Sequence, residues 1–137
     1  HRVNLSGFLL DAGNTILGLD YRVLADTLAP GDPAVTPAAV ARAEAAARKV
    51  VAPLLAGERR LSLEEAFACF AGAIAGPLGL DPRGAGPRRL LSLLLSSEGL
   101  DRAWCVPMPG AADTLERLKA SGYRLAVVSN GHGHGPR

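Results

Sequence analysis

The sequence predicts an α/β protein in which two strands of a parallel sheet flank an all-helical insert. Residues 5–10 form an apolar run interrupted only by Ser6 and Gly7, and residues 124–128 form a second apolar run. Continuous apolar runs of this length are typical of strands that are covered on both faces. An insert of roughly ninety residues, followed by one more helix, lies between the two runs, and such an insert is too long for a simple crossover connection. We therefore expect a separate helical region between the strands.

The insert carries helix-initiation signals in succession. Thr36 followed by Pro37 is typical of a helix N-terminus, and Ser62 with Glu65 forms a capping box. Pro53 is expected to kink the helix that follows Thr36, or to end its regular hydrogen bonding early. The patterns predict helices over residues 21–28, 38–56, from Ser62 to near Gly76, 88–97 and 109–121, with an extended connector over 104–107. On the long second helix, Glu44 and Arg48 are spaced as a surface ion pair.

Composition excludes several classes of protein. With 48% hydrophobic and 20% charged residues the chain is expected to fold. A net charge of +2 with scattered arginines predicts no nucleic-acid partner. No run reaches the roughly 18 apolar residues of a membrane span, so we expect no membrane partner. Cys69 and Cys105 lack metal-type spacing and no secretory signal precedes them, which predicts reduced thiols and a cytoplasmic location.

A polar, turn-forming segment follows each predicted strand. The first strand is followed by the sequence Asp-Ala-Gly-Asn-Thr at residues 11–15, and the second by Ser-Asn-Gly at residues 129–131. In an open parallel sheet the ligand site lies beyond the carboxyl ends of the strands. Asp11 alone is most simply a turn-capping carboxylate. Paired with the Ser129 hydroxyl at a neighbouring strand end, it indicates a site for a phosphoryl group or a similar electrophile.

Together these segments resemble the first two motifs of the haloacid dehalogenase-like hydrolase superfamily. Those motifs are an apolar strand followed by Asp-x-Asp-x-Thr, and an apolar strand ending in Ser or Thr. The helical segment at residues 109–123 also resembles the one that precedes the second motif. The resemblance implies a Rossmann-like parallel sheet core, incomplete in this chain, formed by residues 1–19 and 105–137. It also implies an all-helical type-1 cap, inserted after the first strand, over residues 20–104.

The same resemblance assigns a nucleophile and a metal site. Asp11 would attack phosphorus and form an aspartyl-phosphate that water later hydrolyses. A carboxylate and a phosphoryl group repel each other, so a bridging Mg²⁺ is implied, held by Asp11 and by the main-chain carbonyl of Gly13. The implied substrate is a small phosphorylated metabolite.

The phosphoryl group itself would be bound by the ends of both motifs. By resemblance, Ser129 donates its hydroxyl, and Asn130 and Thr15 complete the phosphate-binding set. Backbone N–H groups of Ala12, Gly13 and Asn130 would join them.

Gly13 departs from the family pattern, because it replaces the second aspartate of the first motif. In family phosphatases that carboxylate protonates the leaving oxygen, and general-acid catalysis contributes roughly 10²–10⁴ in rate. Dehalogenase-like and phosphonatase-like branches also lack it. Gly13 therefore favours, as an alternative, a hydrolase that cleaves a carbon–halogen or carbon–phosphorus bond.

The second departure concerns the later motifs of the family, which are a basic residue and then an acidic pair that completes the metal site. After Asn130 only His132, His134 and Arg137 can carry positive charge, and no Asp or Glu follows Glu116. We therefore expect the chain to be the N-terminal portion of an enzyme and to have little hydrolase activity alone. A non-catalytic remnant that binds a ligand or a partner protein is a further alternative. Because two strands leave unpaired sheet edges, self-association through those edges is also expected.

Overall fold

Four short strands and six α-helices make up the described part of the chain, which is residues 6–57 and 60–128 of a computed structural model. The elements, in chain order, are β1 (Gly7–Asp11), β2 (Leu17–Leu19), α1 (Tyr21–Leu28), α2 (Pro37–Ala56), α3 (Leu63–Ala75), a 3₁₀ turn (Gly76–Leu78), α4 (Ala85–Leu95), α5 (Ser97–Ala103), β3 (Trp104–Pro107), α6 (Ala111–Ala120) and β4 (Arg124–Val128). The predicted mixed α/β class is confirmed.

The chain divides into two compact units. The sheet unit contains the described residues of 1–19 and 104–137, and the helical unit is Asp20–Ala103. The chain crosses between them twice. At the crossing the Asp20 N–H donates to the Ala103 carbonyl over 2.8 Å, so the two ends of the helical unit are tied together.

The sheet unit contains two separate two-stranded sheets. Strands β1 and β4 are parallel, with Gly7 paired to Arg124, and Asp11 to Val128. Strands β2 and β3 are antiparallel, with an irregularity between Gly18 and Leu19. The parallel pairing of the two apolar runs is therefore observed, whereas the pairing of β3 with β2 was not predicted. The reason is that β2 is only three residues long, Leu-Gly-Leu, and carries no strand pattern of its own.

The helical unit is organised around apolar side chains from α1, α2, α3 and α4. Its largest fully buried side chains are Leu24, Leu28, Val40, Ile74, Leu90 and Leu94. Side-chain caps begin three of these helices, and those at Thr36 and Ser62 were predicted. Asp20 accepts from the Arg22 and Val23 N–H groups, Thr36 from the Ala39 N–H, and Ser62 forms the reciprocal capping box with Glu65. Each cap satisfies N–H groups that have no partner within the helix.

The end of α1 is closed by a long-range contact. Arg89 donates from Nε to the Thr27 carbonyl and from Nη2 to the Leu28 carbonyl, each over 2.9 Å. Carbonyl groups in the last turn of a helix lack intrahelical partners, and a cation there also interacts favourably with the helix dipole. Arg89 therefore links α4 to the C-terminus of α1.

The predicted end of the long helix at residue 56 is confirmed, because α2 continues through Pro53 to Ala56. The boundaries of the next predicted helix but one differ from expectation. The helix predicted at residues 88–97 is instead α4, which begins at Ala85, and a second short helix, α5, follows Ser96. Ser96 has an extended backbone and its hydroxyl accepts from the Gly99 N–H, which separates the two helices. Within the described ranges, no helix has the length and apolar character needed to cross a bilayer.

Candidate functional site

Asp11 lies at the carboxyl end of the parallel sheet. It is the last residue of β1, it is exposed, and its ladder partner on β4 is Val128. In the sequence Val128 is followed by Ser129 and Asn130, the other two residues expected at this edge, which lie outside the described residues. The two strands therefore end level with each other, at Asp11 and Val128.

A tight turn follows Asp11 and is closed around one carbonyl group. The Ala12 carbonyl accepts from the N–H groups of Thr15 (3.4 Å), Ile16 (3.0 Å) and Leu17 (2.9 Å). Asn14 takes a left-handed conformation with φ of 57°, which an asparagine tolerates better than most residues. Its N–H donates to the Leu17 carbonyl over 2.7 Å. These bonds hold the backbone after Asp11 in one conformation.

The backbone donors of this turn are not all available to a ligand. The Ala12 N–H, expected to contact a phosphoryl group, donates to the Val128 carbonyl over 3.3 Å and so belongs to the sheet. The Gly13 N–H has no hydrogen-bond acceptor among the described residues. Thr15 is exposed. Gly13 is therefore the main-chain donor next to Asp11 that this turn leaves for an anion.

The implied metal ligands are oxygen atoms of the type that Mg²⁺ binds. They are the carboxylate of Asp11 and the main-chain carbonyl of Gly13, to which no described residue donates a hydrogen bond. In residues 6–57 and 60–128 no group of three or more His, Cys, Asp or Glu side chains is placed to hold a metal ion. The donor set of the turn suits Mg²⁺ in kind, and it provides two of the six ligands that an octahedral ion takes.

A second polar cluster, which the sequence analysis missed, lies in the helical unit. Glu44 on α2 is only 3% exposed. The Tyr21 hydroxyl donates to its Oε2 over 3.2 Å, and Arg48 Nε donates to its Oε1. The prediction of a surface ion pair was therefore wrong for Glu44, although the Arg48 side chain is 46% exposed. The signal was present in the sequence, because Glu44 lies on the same helical face as Val40 and Ala47.

This environment perturbs the tyrosine. Burial raises the pKa of Tyr21, and the negative charge of Glu44 and the hydrogen bond to it raise that pKa further, while Arg48 opposes the shift. The protonated phenol is thus the form that the cluster favours. Because each oxygen of Glu44 accepts a hydrogen bond, the buried carboxylate is satisfied, as a buried charge must be.

No family model matches the chain, and no curated protein or solved structure matches it either. A functional assignment therefore depends on the residues at the end of the parallel sheet and on their resemblance to the two motifs.

Proposed function

We propose that this chain carries the nucleophile and part of the phosphate site of a haloacid dehalogenase-like hydrolase, acting on a small phosphorylated metabolite. The observation that carries the proposal is the position of Asp11. It is an exposed carboxylate at the end of a parallel strand, opposite the last described residue of the strand that leads to Ser129. In this proposal the sheet unit corresponds to part of a Rossmann-like core, and Asp20–Ala103 to the inserted cap.

In the proposed reaction an oxygen of Asp11 attacks phosphorus. The bond between phosphorus and the leaving oxygen breaks, its electron pair stays with that oxygen, and an aspartyl-phosphate forms. Water then attacks this phosphorus, which releases phosphate and restores the carboxylate. The Gly13 N–H, which has no acceptor among the described residues, would donate to a phosphoryl oxygen. Mg²⁺, held by Asp11 and the Gly13 carbonyl, would offset the repulsion between the two anions.

The leaving oxygen has no protein acid at the family's usual position, since Gly13 occupies it. Solvent would have to supply that proton, which lowers the rate for poor leaving groups. A β-carbon built on Gly13 meets no atom within 4 Å, so packing does not exclude a larger side chain. Packing therefore does not require a glycine at position 13, and the missing carboxylate matters only for the chemistry of the proposed site.

That observation favours the second candidate, a dehalogenase-like hydrolase. A halide leaves without protonation, so carbon–halogen cleavage by Asp11 does not need an acid at position 13. Release of chloride from a short 2-chloroacid, lost in Asp11→Asn, would support this candidate over the phosphatase.

Beryllium fluoride with Mg²⁺ provides the test, because it mimics a phosphoryl group on an aspartate. We expect ¹⁹F NMR to show a bound resonance with the wild-type chain and none with Asp11→Asn. Asp26→Asn is the matched control, since Asp26 is an exposed aspartate of α1, and it should keep the resonance. A resonance that persists in Asp11→Asn, or no bound resonance at millimolar Mg²⁺, would refute the proposed role of Asp11.

Steady-state activity is a separate matter. The family's basic residue and acidic pair have no counterpart after Asn130. We therefore expect turnover of p-nitrophenyl phosphate by this chain to stay at background. Mg²⁺-dependent turnover that Asp11→Asn removes would show this expectation of inactivity to be wrong, while supporting the nucleophile. Binding of beryllium fluoride without turnover would indicate that this chain alone binds a ligand and does not catalyse the reaction.

A further inference from the structure

One exposed face of the parallel sheet has an apolar centre and one charged residue at each end. Side chains alternate between the faces of a strand, and residues paired across a ladder point the same way. The register therefore places five exposed residues on this face, namely Leu9, Asp11, Arg124, Ala126 and Val128. Leu9 is 77% exposed and Val128 is 53% exposed. On the opposite face Phe8, Leu10 and Leu125 are half-buried, and Val127 is 57% exposed.

The charges on this face lie at opposite ends of the sheet. Arg124 is the first residue of β4, at the amino end, and Asp11 is the last residue of β1, at the carboxyl end. The paired residues Leu9 and Ala126 lie midway between them. A surface with an apolar centre, a cation at one end and an anion at the other is complementary to itself when it is reversed end to end.

We propose that a second copy of this chain packs on this face, with the strands of the two copies running in opposite directions. A two-fold axis through the centre would place Leu9 against Leu9 of the second copy. The reversal brings Arg124 of each copy towards Asp11 of the other. Gly7, the ladder partner of Arg124, has no side chain and leaves room there for the incoming carboxylate. The same stacking with parallel strands would instead place like charges together.

The size of the face sets the strength of this contact. Five residues of strand span roughly 15 Å, so the two-stranded face is well below the roughly 800 Å² per partner of a standard interface. The dimer is therefore weak and forms only as the chain concentration rises. Because the ion pairs lie at its rim, salt weakens it further.

Sedimentation equilibrium over a wide concentration range tests the proposal without metal or substrate, so its outcome is independent of the proposed hydrolase chemistry. Leu9→Asp should weaken dimerisation at least about tenfold. The control is Leu55→Asp, which changes a leucine of the helical unit that is 57% exposed and should leave the dimer unchanged. Far-UV circular dichroism confirms that each variant is folded.

Charge reversal tests the orientation. Arg124→Asp and Asp11→Arg should each weaken the dimer, and the double variant should restore it to within about threefold of the wild type. A chain that stays monomeric at all concentrations would overturn the proposal. So would a dimer that Leu9→Asp leaves intact, one that Leu55→Asp weakens equally, or one that the double reversal fails to restore.

Discussion

Replacing Glu44 by alanine tests whether the buried polar cluster ties α1 to α2. The wild-type carboxylate accepts from Tyr21 on α1 and from Arg48 on α2. Its removal deprives the Tyr21 hydroxyl of its acceptor in a half-buried position and leaves a small space between the helices. We expect the free energy of unfolding of the helical unit to fall.

The size of the loss follows from the separate contacts. A hydrogen bond to a charged group contributes about 1.5–3 kcal/mol, and a half-exposed helical ion pair about 0.3–0.5 kcal/mol. Lost packing of the side-chain stem adds about 1 kcal/mol, and this is offset because a buried charge no longer has to be desolvated. Glu44→Ala should therefore cost about 2–3 kcal/mol. Glu44→Gln keeps an acceptor for the phenol and should cost about 1 kcal/mol.

Urea unfolding followed by circular dichroism at 222 nm measures this loss, since the helices dominate that signal. Trp104, the single tryptophan, lies in β3 and reports on the sheet unit by fluorescence. Glu64→Ala, at an exposed site on α3, serves as the control and should change stability by less than about 0.5 kcal/mol. If Glu44→Ala costs no more than this control, the cluster does not hold the two helices together and the reasoning fails.

Four further predictions concern single side chains or backbone positions. The raised pKa of Tyr21 means that its protonated form stabilises the folded chain. This stabilisation is present below the unfolded pKa of about 10 and is lost as pH rises through the higher folded pKa. In urea titrations from pH 8 upward, the free energy of unfolding should therefore fall less for Tyr21→Phe than for the wild type. Arg89→Ala should cost about 1–2 kcal/mol in thermal unfolding, because the last carbonyls of α1 lose their donors, whereas the exposed Arg88→Ala should be nearly neutral. Gly13→Ala should raise stability by about 0.4–1 kcal/mol, since its β-carbon meets nothing and the unfolded chain loses freedom. Gly7→Ala should lower it, because its β-carbon would lie 2.6 Å from a carbonyl oxygen of β4; equal melting temperatures for the two glycine variants would contradict this.

The sequence was sufficient to predict features that depend only on residues close together in the chain. The predicted caps at Thr36 and Ser62 each depend on a side chain three residues from the N–H group that it satisfies, and both are observed. The two apolar runs also identify their strands, although the covering on both faces that they predict is not observed, because four of the five residues of β4 are exposed. Their parallel pairing is observed as well.

Contacts that depend on distant parts of the chain were not predictable in the same way. The pairing of β2 with β3 joins residues nearly ninety positions apart. The three residues of β2 are too few to show the alternating pattern from which a strand is predicted. Arg89 is 61 residues from the Leu28 carbonyl that it caps. Glu44 differs from these cases. Its charge suggests exposure, but it lies on the buried helical face of Val40 and Ala47. Burial of the carboxylate is tolerated because Tyr21 and Arg48 donate hydrogen bonds to its two oxygens.

The same distinction explains how much of the candidate site the sequence determines. Asp11 ends level with Val128 because the ladder registers β1 on β4 residue by residue, and one slip would move Asp11 to the other face. This register places Asp11 on the exposed face of the sheet, so strand pairing, and not burial, fixes the position of the carboxylate. Burial does not decide the identity of residue 13, since a side chain there would meet nothing. The position of Asp11, the proposed nucleophile, is thus set by strand pairing, whereas packing does not require a glycine at position 13. Gly13→Asp should accordingly fold as the wild type does, and in the proposed function it would supply the acid that the leaving oxygen lacks.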